Sequence, residues 1–151
     1  MRSKLLALSM FAASGIAAVL APDQAAPAAP SQITIGELYA SSGPYASISM
    51  PVYDAFKLWV DETNAKGGVE MAAFGGKRIP IKLIAYDDQS STATAATLYN
   101  QLITQDHVDL LIADSGSVLT SVGVPIAREH KQFLFRSEEH TSELQSQSNL
   151  V

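Results

Sequence analysis

Residues 79–117, IPIKLIAYDDQSSTATAATLYNQLITQDHVDLLIADSGS, decide the fold. IPIKLIAYDD (79–88) is an aliphatic run that ends in two acids and reads as a strand. Ser90 or Ser91 can cap the helix that follows, and Ala95, Leu98, Leu102 and Ile103 recur on one helical stripe. HVDLLIAD (107–114) is apolar at successive positions, the pattern of a strand buried on both faces. A strand, a helix and a strand within one such span predict a parallel crossover unit.

The same alternation continues outward. ITIGELYA (33–40) predicts a strand ending in the Gly-Pro turn of SSGPYAS (41–47). MPVYDAFKLWVDETNAKGG (50–68) predicts a helix starting near Ser49, with Pro51 in its first turn. Tyr53, Phe56, Val60 and Thr63 share one face of that helix. Lys57, Asp61 and Glu62 lie mostly off it as a solvated face, and Trp59 joins Phe56 as core. Gly67-Gly68 stops the helix, one of them left-handed. VEMAAFGGKR (69–78) predicts a connection or small hairpin turning at Gly75-Gly76. SGSVLTSVGVPIAREH (115–130) opens a third helix, and KQFLF (131–135) begins a fourth strand. The fold class is therefore α/β, a parallel Rossmann-like sheet in β-α-β-α-β-α-β order with right-handed crossovers. Ligands on such sheets bind outside the carboxyl ends of the strands, near a switch point. That singles out the loops 40–47, 87–91 and 114–117.

Composition narrows the chemistry. Of 151 residues, 47% are hydrophobic and 17% charged, enough to pack a core. The net charge of −5 and a lone dibasic pair, Lys77-Arg78 in an expected turn, argue against nucleic acid. With no cysteine, disulfides, thiol catalysis and Cys-ligated zinc are excluded. His107, His130 and His140 lack metal-ligand spacing, and the first two, flanking strand ends, read as surface or capping residues. No cofactor is expected. The N-terminus carries Arg2 and Lys4, then an apolar run from Leu5 to Ala21 that ends in small residues. This is the pattern of a secretory signal over 1–21, with cleavage readable as far as Ala29. Its alanine richness and the early Asp23 favour a cleaved signal over a spanning helix. Residues 22–32 read as an extended Pro/Ala linker.

Three loops could carry chemistry. In ADSGSVLTS (113–121), Ser115, Gly116 and Ser117 offer hydroxyls, backbone N–H groups and the positive end of a helix, which suits a carboxylate or phosphate. An ordinary serine cap reads equally well from pattern alone. The loop lacks the Gly-Lys-Ser/Thr of a phosphate loop and the second glycine of a nucleophile elbow. In YASSGPYAS (39–47), Ser41, Ser42 and Gly43 lie at a strand end, and Tyr45 could cover a ligand; a plain turn is the alternative. In YDDQSS (86–91), Asp87 and Asp88 could hold Mg²⁺ or exchange protons as in a flavodoxin-like phosphoacceptor. Capping and loop hydrogen bonding is the plainer reading.

Together ITIGELYASSGPYA, NAKGG, IKLIAYDDQSSTATA and VDLLIADSGSVLTSVGVPIARE resemble the solute-binding proteins of branched-chain amino acid ABC transporters, which have the type I periplasmic fold. The resemblance covers about Ile33 to Phe135. It implies that residues 33–135 are an incomplete N-terminal lobe, and that the whole protein, exported to the periplasm, binds an amino acid or related solute between two lobes without catalysis. It also implies delivery to a membrane permease. The loop matching Ser115-Gly116-Ser117 then grips the ligand carboxylate, and the segment after Ser-Gly-Pro supplies an aromatic. This makes Ser117 and Tyr45 the leading site residues, with Ser115, Gly116 and Ser42 beside them. Asp114-Ser115 departs from the family pattern. A ligand-sensing receptor or regulator built on the same lobe is the other reading. Finally, RSEEHTSELQSQSNLV (136–151) resembles the translation of a common short-read sequencing adapter, so 136–151 is expected to be a non-native tail.

Overall fold

The computed structural model describes residues 28–136. The signal-sequence and adapter expectations fall on residues outside this range, except for Arg136 and the linker's last residues.

Strands β1 (Ile33–Tyr39), β4 (Ile81–Asp87), β5 (Leu110–Ile112) and β6 (Leu134–Phe135) form one sheet in the order β4-β1-β5-β6. Every neighbouring pair in it is parallel. Ile33 faces Ile81, and the pairing runs without a bulge to Tyr39 opposite Asp87. Between the strands run α1 (Ala46–Ala65), α2 (Thr92–Thr104) and α3 (Ser117–Glu129). A hairpin of β2 (Val69–Met71) and β3 (Lys77–Ile79) interrupts the α1–β4 connection, closing through a 3₁₀ turn at Ala72–Phe74. The alternation and the hairpin are those the sequence predicts.

Two cores flank the sheet. Leu38 and Leu111 pack with Tyr99 and Leu102 of α2 and Leu119 and Ala127 of α3. On the other face Ile35 and Ile81 pack against Val60 and Phe56 of α1. The two-residue side-chain period of a strand explains the split: Ile33, Ile35, Glu37 and Tyr39 face α1, while Gly36 and Leu38 face α2 and α3. Tyr39 stacks on Tyr53 of α1 with ring centroids 4.2 Å apart. Asn64 fastens the far end of α1 to β4: its amide donates to the Ile81 carbonyl and accepts from the Ile81 N–H, both at 2.8 Å.

Several local expectations are corrected. Helix α1 begins at Ala46, three residues before Ser49, so Pro51 sits in its second turn rather than its first. The Gly43 and Tyr45 carbonyls accept from Ala46 and Ser49 and start the helix early. The bond that Pro51 cannot donate falls on Ser47, at an exposed position where water can replace it. Trp59 is not core. It is 47% exposed, one residue off the buried stripe, and lies against Phe56 with centroids 5.5 Å apart. Lys77 and Arg78 lie in β3, not in the turn, and Arg78 Nη1 donates to the Gly68 carbonyl at 3.0 Å. Both Gly67 and Gly68 take positive φ, not one. Strand β5 is only half-buried at Leu110 and Ile112, which pack at the margin of the cluster of Ile35, Val60 and Ile81. Phe133 and Phe135 are exposed. The stripe on α2 is as expected, with Ala95 and Leu102 fully buried, but it also contains Tyr99, equally buried.

Candidate ligand-binding site

The chain reverses its winding between β1 and β5. From β1 it passes through α1 to β4 on one side; from β5 it passes through α3 to β6 on the other. The loops leaving β1 and β5 therefore diverge and leave a crevice between them. These are two of the three loops that the sequence singles out, and they touch. Tyr45, half-buried as the N-cap of α1, lays its ring on Gly116, the N-cap of α3. A Cβ added at Gly116 would lie 3.1 Å from Tyr45 Cδ1, so the ring sits where any side chain would stand. Gly116 also takes φ 101 and ψ 135, a region that L residues avoid.

Gly116 turns β5 into α3 without a side-chain cap. The ordinary serine cap is thus not what stands here. The first bond of the helix runs from Thr120 N–H to the Gly116 carbonyl at 3.0 Å, so the N–H groups ahead of it have no partner within the helix. Ser117, the first helical residue, is exposed at this end, and Ser115 is half-buried. The Ser115 N–H is already engaged, donating to Asp114 Oδ1 at 2.6 Å. Ser115 therefore has its hydroxyl, not its amide, to offer a ligand.

The third loop braces the first. Ser90 adopts a left-handed φ of 60° after Gln89 at 57°. Its hydroxyl donates to the Ser42 carbonyl at 2.6 Å and accepts from the Tyr45 N–H at 3.1 Å. Asp87 accepts from the Ser41 N–H and the Gln89 N–H, each at 3.0 Å, and from the Ser41 hydroxyl. These bonds outweigh the opposing effect of burial and hold the Asp87 carboxyl below its ordinary value. Ser42 is thus held through its carbonyl while its residue stays exposed. Asp87 and Asp88 do not present a joint acidic face. Asp87 serves the loop, while Asp88 is fully buried and accepts from the Ser90 N–H at 2.9 Å. Ser91 caps α2 by accepting from the Thr94 N–H at 3.3 Å. This is the loop hydrogen bonding and capping that the sequence suggests for the segment. His107 and His130 are exposed beside β5 and at the C-cap of α3.

Sequence reasoning passed over three residues beneath the crevice. Ser49 of α1 accepts from the Ala40 N–H at 2.9 Å and donates to Asp114 Oδ1 at 2.6 Å, tying the two strand ends together. Tyr99 accepts from the Asp114 N–H at 3.2 Å through its hydroxyl oxygen. Glu37, on the central strand, is 2% exposed. The available signal was an acid at position 37 in phase with Ile33 and Ile35, on the side of the strand that packs against α1. Two surface clefts lie away from this crevice. One, of about 370 Å³, lies between α3 and β6, and the other, of about 330 Å³, between α1 and β4; no candidate site residue lines either.

A parallel α/β sheet with two loops gathered at its switch point, one of them opening a helix N-terminus to solvent, is the architecture of a doubly wound lobe. Residues 32–151 match the periplasmic binding protein family, and the chain belongs to it. Its architecture is that of a partial lobe of the type I fold. The branched-chain amino acid transporter substrate-binding protein LivJ from Streptococcus pneumoniae, solved with isoleucine, is 28% identical with a TM-score of 0.60, over 76% of this chain and 32% of that one. A possible leucine/isoleucine/valine-binding protein from Rhodopirellula baltica is 25% identical with a TM-score of 0.61, over 80% and 31%. A solute-binding protein of an ABC transporter from Rhodopseudomonas palustris, solved with benzoate, is 28% identical with a TM-score of 0.56, over 70% and 27%. The chain thus spans about a third of the length of these proteins.

Proposed function

We propose that this chain is the ligand-gripping part of the N-terminal lobe of an exported, non-catalytic solute-binding protein. In the periplasm it captures a small solute bearing a carboxylate, an amino acid or a related acid, for delivery to an ABC permease. The observation that carries this reading is the meeting of the β1 and β5 loops at the switch point, with Tyr45 seated on Gly116 beside the open end of α3. Ser117 and the N–H groups of the first turn of α3 receive the carboxylate, assisted by the helix dipole. The Ser115 hydroxyl adds a donor, Tyr45 walls the pocket, and the exposed Ser42 lines its rim. Isoleucine in one relative and benzoate in another fit a shared demand for a carboxylate with an apolar remainder. Closure of a second lobe over this surface would supply the remaining contacts and the change of state that a permease reads.

The test is a thermal-shift series with isoleucine, valine and benzoate against the 151-residue chain and its Ser117→Ala variant. A ligand that binds the native state but not the unfolded one raises the melting temperature, by an amount that grows with the logarithm of its concentration above Kd. The reading expects a rise with at least one carboxylate, smaller in the variant and absent with the corresponding amide or alcohol. Equal shifts for acid and amide, or for the two proteins, would count against it.

A further inference from the structure

Three buried acids on three strands act on one another under the crevice: Glu37 within β1, Asp88 just after β4 and Asp114 after β5. They are 2%, 0% and 4% exposed. Each keeps one buried oxygen without a hydrogen-bond donor: Glu37 Oε2, Asp88 Oδ2 and Asp114 Oδ2. Asp88 accepts from the Ser90 N–H, and Asp114 accepts from the Ser115 N–H and the Ser49 hydroxyl. The Asp88 and Asp114 carboxyls are near enough to act on each other's ionisation, the Asp114 charge opposing that of Asp88. Neither described ion pair involves any of the three. Lys57–Asp61 and Arg78–Glu70 pair at the surface. The ionisable groups acting on the cluster are its own members and Asp87, with the Tyr99 hydroxyl packed beside them from α2 and the uncharged Ser49 from α1. Three buried carboxylates without a counter-ion are untenable, and the missing donors are what protons would supply.

We propose that Glu37, Asp88 and Asp114 form a buried proton-holding latch, in which Asp88 Oδ2–H donates to Asp114 Oδ2, Glu37 stands as a neutral acid, and loss of these protons releases the Asp114–Ser117 loop. The bond leaves one negative charge on the Asp88–Asp114 pair, and Asp114, as carboxylate, keeps the bonds from Ser49 and Ser115. Burial, reinforced by Asp114, pushes Glu37 up to about 8, and burial with the Asp114 charge pushes Asp88 up to about 7. Burial raises Asp114 as well. The native state therefore holds more protons than the unfolded chain between the ordinary carboxylate range and these values. Stability is greatest on the acid side of that window and falls as pH rises through about 7 to about 8. When Asp88 ionises it faces Asp114 with like charge, and the strand end that carries Ser115, Gly116 and Ser117 loses its anchor. The latch depends on protons alone, so it stands or falls apart from the ligand reading.

The test is a carboxyl-carbon NMR titration of the 151-residue chain, with no solute present, alongside amide shifts of Ser115 and Gly116. The expected result is that Glu37 and the Asp88–Asp114 pair titrate well above the surface acids, and that the Ser115 amide moves with the midpoint of the pair. The melting temperature should also fall from about pH 5 to about pH 9, and Glu37→Gln and Asp88→Asn should each flatten that fall. If all three titrate with the surface acids, or if Asp88 and Asp114 titrate independently while the Ser115 amide stays still, the proposal is overturned. Should either variant fail to fold, the titration of the unsubstituted chain decides alone.

Discussion

Replacing Gly116 with alanine tests how the site is assembled. Gly116 takes φ 101 and ψ 135, where a side chain costs about 1–3 kcal/mol in backbone strain. The new Cβ would also stand 3.1 Å from Cδ1 and 3.3 Å from Cε1 of Tyr45. Tyr45 is half-buried against the main core and can yield only by shifting the start of α1, which adds about 1 kcal/mol of overpacking. The expected total is about 2–4 kcal/mol. Gly75 is the control. It takes φ 69 and ψ 28 with nothing within 4 Å of an added Cβ, so Gly75→Ala should cost only the left-handed penalty of about 1–2 kcal/mol. Urea denaturation followed by tryptophan fluorescence gives both values from midpoint and slope. Gly116→Ala should be the more destabilising by about 1–2 kcal/mol, and Tyr45→Ala in the same chain should recover part of the difference. Equal costs at the two glycines would show that Tyr45 is not seated on Gly116, and the description of the crevice would fail with it.

Other perturbations address single bonds. Ser49→Ala removes the donor to Asp114 and the acceptor of the buried Ala40 N–H, so a loss of about 2–3 kcal/mol is expected by the same denaturation; a loss under half of that would deny the two-strand tie. Asp87 acts with the opposite sign to the buried cluster. Its native carboxyl is lowered, so its contribution is present above the ordinary carboxylate value and is lost as pH falls through the native one. Asp87→Asn should therefore reduce stability at neutral pH while making the protein less sensitive to acid, read as a smaller shift of the urea midpoint between about pH 5 and about pH 3. We also propose that Arg136–Val151 is adapter-derived. Sequencing genomic DNA outward from the codons for Lys131–Phe135 should then give a different continuation; a locus encoding RSEEHTSELQSQSNLV would refute it.

What the sequence made legible is what local periodicity controls. The aliphatic runs at 33–40 and 79–88, the cap at Ser91 and the paired glycines at 67–68 mark the main strands and helices, whereas the cap of α3 is Gly116 and not the expected serine. Strand alternation with helices then yields the parallel sheet and its ligand-bearing ends. The remainder depends on which way a side chain faces once elements pack. Trp59 and Val60 are adjacent in sequence, yet Val60 is buried and Trp59 is not, because neighbours stand about 100° apart around a helix and it is Val60 that faces the sheet. Asp114 first stood out only as a departure from a family pattern, and its place between Ser49, Ser115 and Asp88 arises from three distant segments meeting. Glu37 drew no reading of its own, because only the packing of α1 over β1 shows that its side of the strand is buried. The starting point of α1 turned on a competition between Pro51 as a first-turn residue and the Gly43-Pro44-Tyr45 turn, which began the helix earlier.

The most direct test of the account is a map of amide chemical-shift changes in the 151-residue chain as isoleucine and then benzoate are titrated to saturation. The account predicts that the changes concentrate at Ser42–Tyr45 and Ser115–Leu119, and that Ser117→Ala weakens the response at both segments together. Changes confined to the cleft between α1 and β4, or absent from the first turn of α3 at every concentration, would contradict a carboxylate site at the switch point between β1 and β5.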